Sequence, residues 1–159
     1  MNVFINGEWV GEDIAQMEVT NPANGEVIDR VPKGGKKEAA LAVDAAEQAL
    51  EPWAALSAYE RSERLEAWHQ LIQENTEELA QTMTKEQGKS IKEARGEIGY
   101  ANSFIKWYAE EGKRNYGDTI PATTPDKRMF VIKQPVGVVA AITPWNFPAA
   151  MITRKVAPA

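Results

Sequence analysis

An apolar run at residues 136–142 constrains the fold of this chain more strongly than any other stretch. Its seven residues, VGVVAAI, include no polar residue, and a β-branched run of this kind is typical of a strand buried on both faces in a parallel sheet. Thr143-Pro144 ends the run, a short turn follows, and the pattern from Ala149 onward predicts a helix. In α/β proteins, strand, turn and helix in succession place ligands at the carboxyl edge of the sheet.

The turn contains one amide side chain, Asn146, between the aromatic residues Trp145 and Phe147. The carboxamide NH2 group of asparagine can donate a hydrogen bond to an oxygen that develops negative charge, which is a catalytic use of this residue. Asparagine is also common in turns and at helix starts, so Asn146 could instead cap the helix that begins near Pro148. Position alone leaves both interpretations open.

Short strands are predicted on both sides of a helical region. An Asn-Gly pair between two apolar runs favours a type I′ hairpin, and a strand that reaches Pro135 must lie at a sheet edge or break there, because proline lacks the ladder donor. The predicted elements are a hairpin over residues 3–10 that turns at Asn6-Gly7, a turn at 21–25, a strand over 26–31, a turn-rich connection at 119–125 and a strand over 127–134.

Four amphipathic helices are predicted between these strands. In a capping box, a serine hydroxyl and a glutamate satisfy free N–H groups of the first turn. The longest apolar stripe indicates core packing, and its members are Ile91, Ala94, Ile98, Ala101, Ile105 and Tyr108. The helices are predicted over residues 36–50, ended by Pro52; from a capping box at Ser57; from a cap at Asn75 to Gly88; and from a capping box at Ser90.

The composition restricts the classes of partner and of chemistry. The net charge of −5 disfavours a nucleic acid or an anionic membrane as partner. The N-terminus lacks a basic and then apolar signal segment, which favours a cytoplasmic location. The chain has no cysteine, so it has neither a disulfide nor a thiol nucleophile. No metal-ligand cluster is expected, and His69 is interpreted as an ordinary residue of an amphipathic helix.

The turn and its surroundings resemble a known family. The string Ile142-Thr143-Pro144-Trp145-Asn146-Phe147-Pro148 resembles the Pro-Trp-Asn-Phe-Pro segment of the NAD(P)-dependent aldehyde dehydrogenases. The strings MITRK at 151–155, WYAEEG at 107–112 and GDTIP at 117–121 resemble the succinate-semialdehyde dehydrogenase branch. The resemblance covers essentially the whole chain, but only the amino-terminal part of the family's length.

The resemblance implies an α/β fold, the helix-rich amino-terminal part of a Rossmann-like nucleotide-binding domain with an N-terminal β-hairpin. Residues 1–159 would form part of that domain. Residues 119–135 would extend toward an oligomerisation domain, and residues 136–159 would hold the first parallel strand, the catalytic turn and the start of a helix. The implied cofactor is NAD or NADP, and the full-length protein would be a homo-oligomer, either a dimer or a tetramer.

The resemblance also implies roles for individual residues. The side chain of Asn146 would hold the oxyanion of a thiohemiacetal. Arg154 lies eight residues later on the predicted helix, where a guanidinium could clamp the distant carboxylate of a short semialdehyde with two hydrogen bonds. By sequence alone Arg154 is equally well a surface arginine. The implied cofactor-binding residues are Ile142, Thr143, Pro144, Trp145 and Asn146.

Because the family reaction requires a cysteine nucleophile, we expect these residues to be an amino-terminal piece of a longer enzyme and inactive alone. The expected activity of that enzyme is oxidation of succinate semialdehyde, or a similar ω-semialdehyde, to the acid. Two alternatives remain open. Glutarate semialdehyde or another aldehyde is the substrate, or the chain is a non-catalytic truncated protein that serves assembly with a partner.

Overall fold

The computed structural model describes residues 2–11 and 14–159, and within them it contains three separate two-stranded antiparallel sheets and five α-helices. The paired strands are β1 Val3–Ile5 with β2 Glu8–Val10, β3 Gln16–Thr20 with β4 Val27–Pro32, and β5 Asp118–Ile120 with β6 Met129–Val131. The helices are α1 Lys36–Ala54, α2 Ala58–Glu74, α3 Thr76–Gln87, α4 Ile91–Glu111 and α5 Pro148–Val156. The predicted fold class, helix-rich α/β with an N-terminal hairpin, is confirmed.

Helix α4 is the centre of the packing, with α2, α3 and α5 placed against it. Its predicted apolar stripe is confirmed, because Ala94, Ile98, Ala101 and Ile105 are each no more than 3% exposed. Alanines on this stripe let the neighbouring helices approach closely, and Ala80 and Met83 of α3 complete the core on one side. The same helix also buries a carboxylate, which bears on the site below.

Two of the three predicted serine and asparagine caps are present. Ser57 accepts a hydrogen bond from the N–H of Glu60 (3.2 Å), and its own N–H donates to the Glu60 carboxylate (2.7 Å). This backbone N–H stabilises the ionised carboxylate and lowers the pKa of Glu60. Ser90 likewise accepts from the N–H of Glu93 (3.3 Å). The predicted Asn75 cap is wrong, because its side-chain amide donates to the carbonyl of Leu71 (2.7 Å) at the end of α2 instead.

The turns and helix ends follow backbone preferences, with one exception. Asn6 and Gly7 have φ values of 52° and 81°, as a type I′ turn requires, so the predicted hairpin is confirmed. Gly88 ends α3 with a φ of 80°. The prediction that Pro52 ends α1 is wrong, since the helix continues to Ala54. Proline's fixed φ fits a helix, so the chain keeps its helical path for two more residues although Pro52 cannot donate a hydrogen bond to the carbonyl of Gln48.

The predicted strand at 136–142 is wrong for this chain. These residues form no regular element, and Val136 and Ile142 are 95% and 82% exposed. A strand needs a neighbour that completes its hydrogen-bond ladder, and no strand in the described ranges pairs with these residues. The strand predicted over 127–134 is shortened to β6, and its partner β5 lies partly within the segment predicted to be turn-rich.

None of the described helices combines the length and the apolar composition that a membrane-spanning helix needs.

A surface ion pair between α3 and α4 makes the stability of this packing pH-dependent. Arg95 donates two hydrogen bonds to the carboxylate of Glu77, at 2.8 and 2.9 Å. These bonds are the main reason that the pKa of Glu77 falls from 4.5 to about 2. A lowered folded-state pKa stabilises the fold above pH 4.5, and this contribution is lost as the pH falls toward 2.

We therefore expect Glu77→Gln to lower the thermal midpoint of the chain at pH 7, and this difference from the unsubstituted chain to disappear near pH 2. Circular dichroism melts between pH 7 and pH 2 measure it. Glu78→Gln, which changes the neighbouring exposed carboxylate, is the matched control. A Glu77→Gln difference that does not depend on pH would contradict the assignment.

Candidate functional site

The turn that precedes α5 presents the side chain of Asn146 to solvent. Helix α5 begins with Phe147 at the N-cap and Pro148 in the first turn. The side chain of Phe147 accepts no hydrogen bond from the free N–H groups of that turn. The carboxamide of Asn146 makes no hydrogen bond to any residue in the ranges 2–11 and 14–159. The interpretation of Asn146 as a helix cap is therefore wrong, and its two N–H donors remain uncommitted.

A carboxylate from α4 caps α5 instead. Glu97 is only 3% exposed, and its Oε1 accepts hydrogen bonds from the N–H groups of Ala149 (3.0 Å) and Ala150 (3.3 Å). These are N–H groups of the first helical turn, which has no intrahelical acceptors. A negative charge at this end also interacts favourably with the helix dipole. The start of α5 is thus fixed to the most buried helix of the chain.

Lys89 connects the same carboxylate to the backbone of the turn. Its ammonium forms an ion pair with Oε2 of Glu97 and donates to the carbonyl oxygen of Asn146 at 3.1 Å. It also lies 4.1 Å from the centre of the Phe147 ring, within cation–π range. The side chains of Lys89 and Glu97 are 12% and 1% exposed, so each charge is compensated by the other rather than by water.

Sequence reasoning missed both of these residues. Glu97 did carry a signal, because it stands at helical spacing between Ala94 and Ala101, on the stripe predicted to be buried. A carboxylate in such a position needs a cationic or N–H partner. Lys89 carried none, since it follows Gly88 in a short connection and its contacts with the turn span 57 residues of sequence.

The predicted cofactor-binding residues form an exposed segment that leads into the turn. Ile142 and Trp145 are 82% and 79% exposed, and Thr143 is partly buried. Lys155 of α5 donates a hydrogen bond to the carbonyl oxygen of Ile142 at 2.7 Å. The segment is therefore joined to α5 at its start as well as at the turn.

Arg154 lies in the last turn of α5, at the opposite end from Asn146. It is exposed and forms no ion pair or hydrogen bond with the described part of the chain. The neighbouring Thr153 is buried, and α5 packs against α4. Arg154 therefore lies on the face of α5 that is exposed to solvent. The eight-residue separation between Asn146 and Arg154 corresponds to a rise on the order of 10 Å.

One cleft lies away from the turn. A cleft of about 620 Å³ is bordered by the end of α1, the start of α2, the end of α4 and residues 133–137. Its lining includes neither Asn146 nor Arg154.

Among the described residues no group of three or more acidic or histidine side chains could hold a metal ion. His69 is a half-buried residue of α2, in agreement with its interpretation as an ordinary helix residue. Its Nδ1 lies 3.3 Å from the carbonyl oxygen of Asn102.

Comparison with known proteins identifies the family. The sequence profile of the aldehyde dehydrogenase family matches residues 9–159. The chain belongs to the aldehyde dehydrogenase family. The predicted family is thereby confirmed, and the Trp-Asn-Phe turn lies within the matched residues.

Two curated aldehyde dehydrogenases similar to this chain are named for semialdehydes. The chain is 62% identical to a glutarate-semialdehyde dehydrogenase of Pseudomonas putida and 59% identical to the NADP(+) succinate-semialdehyde dehydrogenase of Escherichia coli. Each match covers 98% of this chain and 33% of the relative. The chain thus spans about a third of the length of the relatives it matches.

Solved aldehyde dehydrogenase structures share the arrangement of these helices and strands. An E. coli NADP-dependent enzyme superposes with a TM-score of 0.97 at 57% identity, over 99% of this chain and 33% of that one. The succinate-semialdehyde dehydrogenase of Burkholderia pseudomallei gives 0.95 at 52% identity, over 98% and 32%. These TM-scores show that the chain has the fold of the matched third of those enzymes.

Proposed function

We propose that this segment works within an NAD(P)-dependent semialdehyde dehydrogenase, where Asn146 stabilises the oxyanion formed from the aldehyde. The observation that carries the proposal is the uncommitted carboxamide of Asn146 on a turn whose backbone is held by Lys89 and Glu97. A donor that stands on a fixed backbone and has no hydrogen-bond partner among the described residues is available to stabilise a developing charge.

In the proposed reaction a cysteine thiolate, supplied by residues outside this segment, attacks the aldehyde carbon. The carbon–sulfur bond forms as the carbonyl π electrons move to oxygen, and the NH2 group of Asn146 donates a hydrogen bond to that oxyanion. The oxyanion would then re-form the carbonyl as a hydride leaves the same carbon, which gives the thioester, and a nicotinamide cofactor, when bound, would supply the hydride acceptor. Water, activated by a glutamate also outside the segment, then hydrolyses the thioester to the acid and frees the thiolate.

The residues before Asn146 fit a bound nicotinamide cofactor. Ile142 and Trp145 expose apolar side chains beside the amide, and neither is buried by the rest of the described chain. Ile142, Thr143, Pro144, Trp145 and Asn146 are the proposed cofactor-binding residues. The E. coli relative is named for NADP(+), and a structural relative, a betaine aldehyde dehydrogenase of Staphylococcus aureus, was solved with NAD+. The proposed cofactor is therefore NAD or NADP.

The proposed substrate is a semialdehyde with a terminal carboxylate. The guanidinium of Arg154 supports this, because it is exposed, forms no ion pair or hydrogen bond with the described residues, and can bind a carboxylate with two parallel hydrogen bonds. Succinate semialdehyde is the first candidate and glutarate semialdehyde the second. The second is supported by the 62% identical Pseudomonas putida enzyme, which is named for glutarate semialdehyde. The two substrates differ by one methylene group.

The proposed organisation has three parts. Residues 1–159 belong to an NAD(P)-binding domain, and residues 119–135 extend toward an oligomerisation domain in a homo-oligomer. Strand β6 supports the second part, because Phe130 and the adjacent Ile132 are 72% and 74% exposed on a two-stranded sheet that is open at both edges. Residues 136–159 would supply a parallel strand, once neighbouring strands are present, and the catalytic turn.

A chimeric enzyme tests the proposal. Residues 1–159 replace the matching third of the E. coli succinate-semialdehyde dehydrogenase, and we expect the purified chimera to oxidise succinate semialdehyde with reduction of NADP. The 159-residue chain alone should show no activity, because it contains no cysteine. Absorbance of the reduced nicotinamide measures both, and the unmodified E. coli enzyme is the control. A folded but inactive chimera would favour the non-catalytic assembly role.

A further inference from the structure

We propose that Glu97 is a positioning residue that fixes where the amide of Asn146 stands, and that it does so from both sides of the turn. The inference rests on the proposed function of Asn146. Glu97 lies on α4, and among the described residues its carboxylate forms no hydrogen bond with the exposed carboxamide of Asn146. Its effect would therefore be transmitted through the backbone that carries Asn146.

The two oxygens of Glu97 have separate tasks. Oε1 accepts from the N–H groups of Ala149 and Ala150, which immediately follow the turn. Oε2 pairs with Lys89, whose ammonium donates to the carbonyl oxygen of Asn146 and covers the Phe147 ring. Residues 146, 147, 149 and 150 are thus all joined to one buried carboxylate. Between these points the backbone of the turn has little freedom to move.

The burial of the pair makes this connection rigid. The side chains of Glu97 and Lys89 are only 1% and 12% exposed. Water can therefore replace neither partner easily, and a change at Glu97 leaves the Lys89 ammonium without its counter-ion. By contrast, the carboxamide of Asn146 is held by no side-chain contact in the described chain. Its position depends on the backbone alone.

The first test measures the geometry without any activity. Amide hydrogen exchange is followed by NMR in the 159-residue chain and in its Glu97→Gln and Lys89→Met variants. We expect the N–H groups of Ala149 and Ala150 to exchange at least tenfold faster in Glu97→Gln, and Lys89→Met to increase exchange around the turn. Glu86→Gln, the same change at an exposed position of α3, should leave these rates unchanged. Unchanged rates in Glu97→Gln would overturn the inference.

The second test asks whether Glu97 acts through Asn146. In the chimera, Glu97→Gln should lower kcat by about 10-fold with little change in the KM for NADP. The same substitution in the N146A background should cost less than twofold, because the group that Glu97 positions is already gone. A loss of 10-fold in both backgrounds would show a general structural role and overturn the inference.

The two tests separate failure of the inference from failure of the proposed function. If Asn146→Ala itself leaves kcat unchanged, the proposed function is wrong. The exchange rates then still decide whether Glu97 fixes the turn, since they need no substrate. If Glu97→Gln unfolds the chain, Lys89→Met keeps the cap on α5 and tests the other half of the connection, with faster exchange around the turn expected and unchanged exchange counting against it.

Discussion

Replacing Asn146 with alanine in the chimera is expected to lower kcat by about 10²–10³-fold, which corresponds to roughly 3–4 kcal/mol of lost transition-state stabilisation. The KM for the aldehyde should change far less, because the ground-state carbonyl carries little of the charge that the amide stabilises. Steady-state kinetics with succinate semialdehyde and NADP measure both constants.

The fold should be unaffected by the same substitution. The carboxamide of Asn146 is exposed and makes no hydrogen bond to the described residues, so its removal should leave the thermal midpoint close to that of the unsubstituted chimera. Asn115→Ala, at an exposed asparagine without a side-chain hydrogen bond among the described residues, is the matched control for kinetics and melting. A kcat reduced less than threefold in a folded Asn146→Ala chimera would refute the oxyanion role.

The features predicted correctly from sequence are those with local causes. The positive φ angles of Asn6 and Gly7, the reciprocal bonds of Ser57 and Glu60, and the αL end at Gly88 each depend on residues within a few positions. The buried stripe of α4 follows from helical spacing alone. These elements form largely independently of what lies elsewhere in the chain.

The predictions that were wrong depended on partners or on competing local bonds. Residues 136–142 have the composition of a buried strand, but no described strand lies beside them to complete a ladder. Composition predicts burial, whereas pairing decides whether a strand forms. Asn75 could accept a hydrogen bond from α3 with its side-chain oxygen or donate one to α2 with its NH2 group, and sequence does not rank the two. The helix continues past Pro52 because proline is tolerated close to a helix end.

The residues proposed for the site are close together in sequence, whereas the residues that support the turn are not. Asn146 and Arg154 belong to one continuous stretch of sequence, and the structure places both on or beside α5 with uncommitted side chains. Their support comes from Glu97 and Lys89, which are separated from the turn by about 50 residues. A charge on an apolar stripe shows that a buried partner must exist, but not which residue it is.

Replacing Arg154 with leucine is expected to lower kcat/KM for succinate semialdehyde by about 10²-fold in the chimera, mainly through KM. Two charge-assisted hydrogen bonds to the substrate carboxylate would be lost, worth together about 3 kcal/mol. The rate with butanal, an uncharged aldehyde of the same chain length, should change little, because it has no carboxylate to bind. Arg154→Lys should recover part of the loss, since an ammonium keeps the charge but not the bidentate geometry.

The ratio between the two aldehydes, rather than either rate alone, decides the role of Arg154. Damage to α5 or to the turn would slow oxidation of both substrates equally, whereas loss of a carboxylate clamp slows only the charged one. Arg64→Leu, at an exposed arginine of α2, controls for a general change in surface charge that would reduce steering of an anionic substrate. Because the chain has a net charge of −5, such steering has to come from local cations. An unchanged ratio in Arg154→Leu would place recognition of the carboxylate in residues outside this segment, while the role of Asn146 would be unaffected.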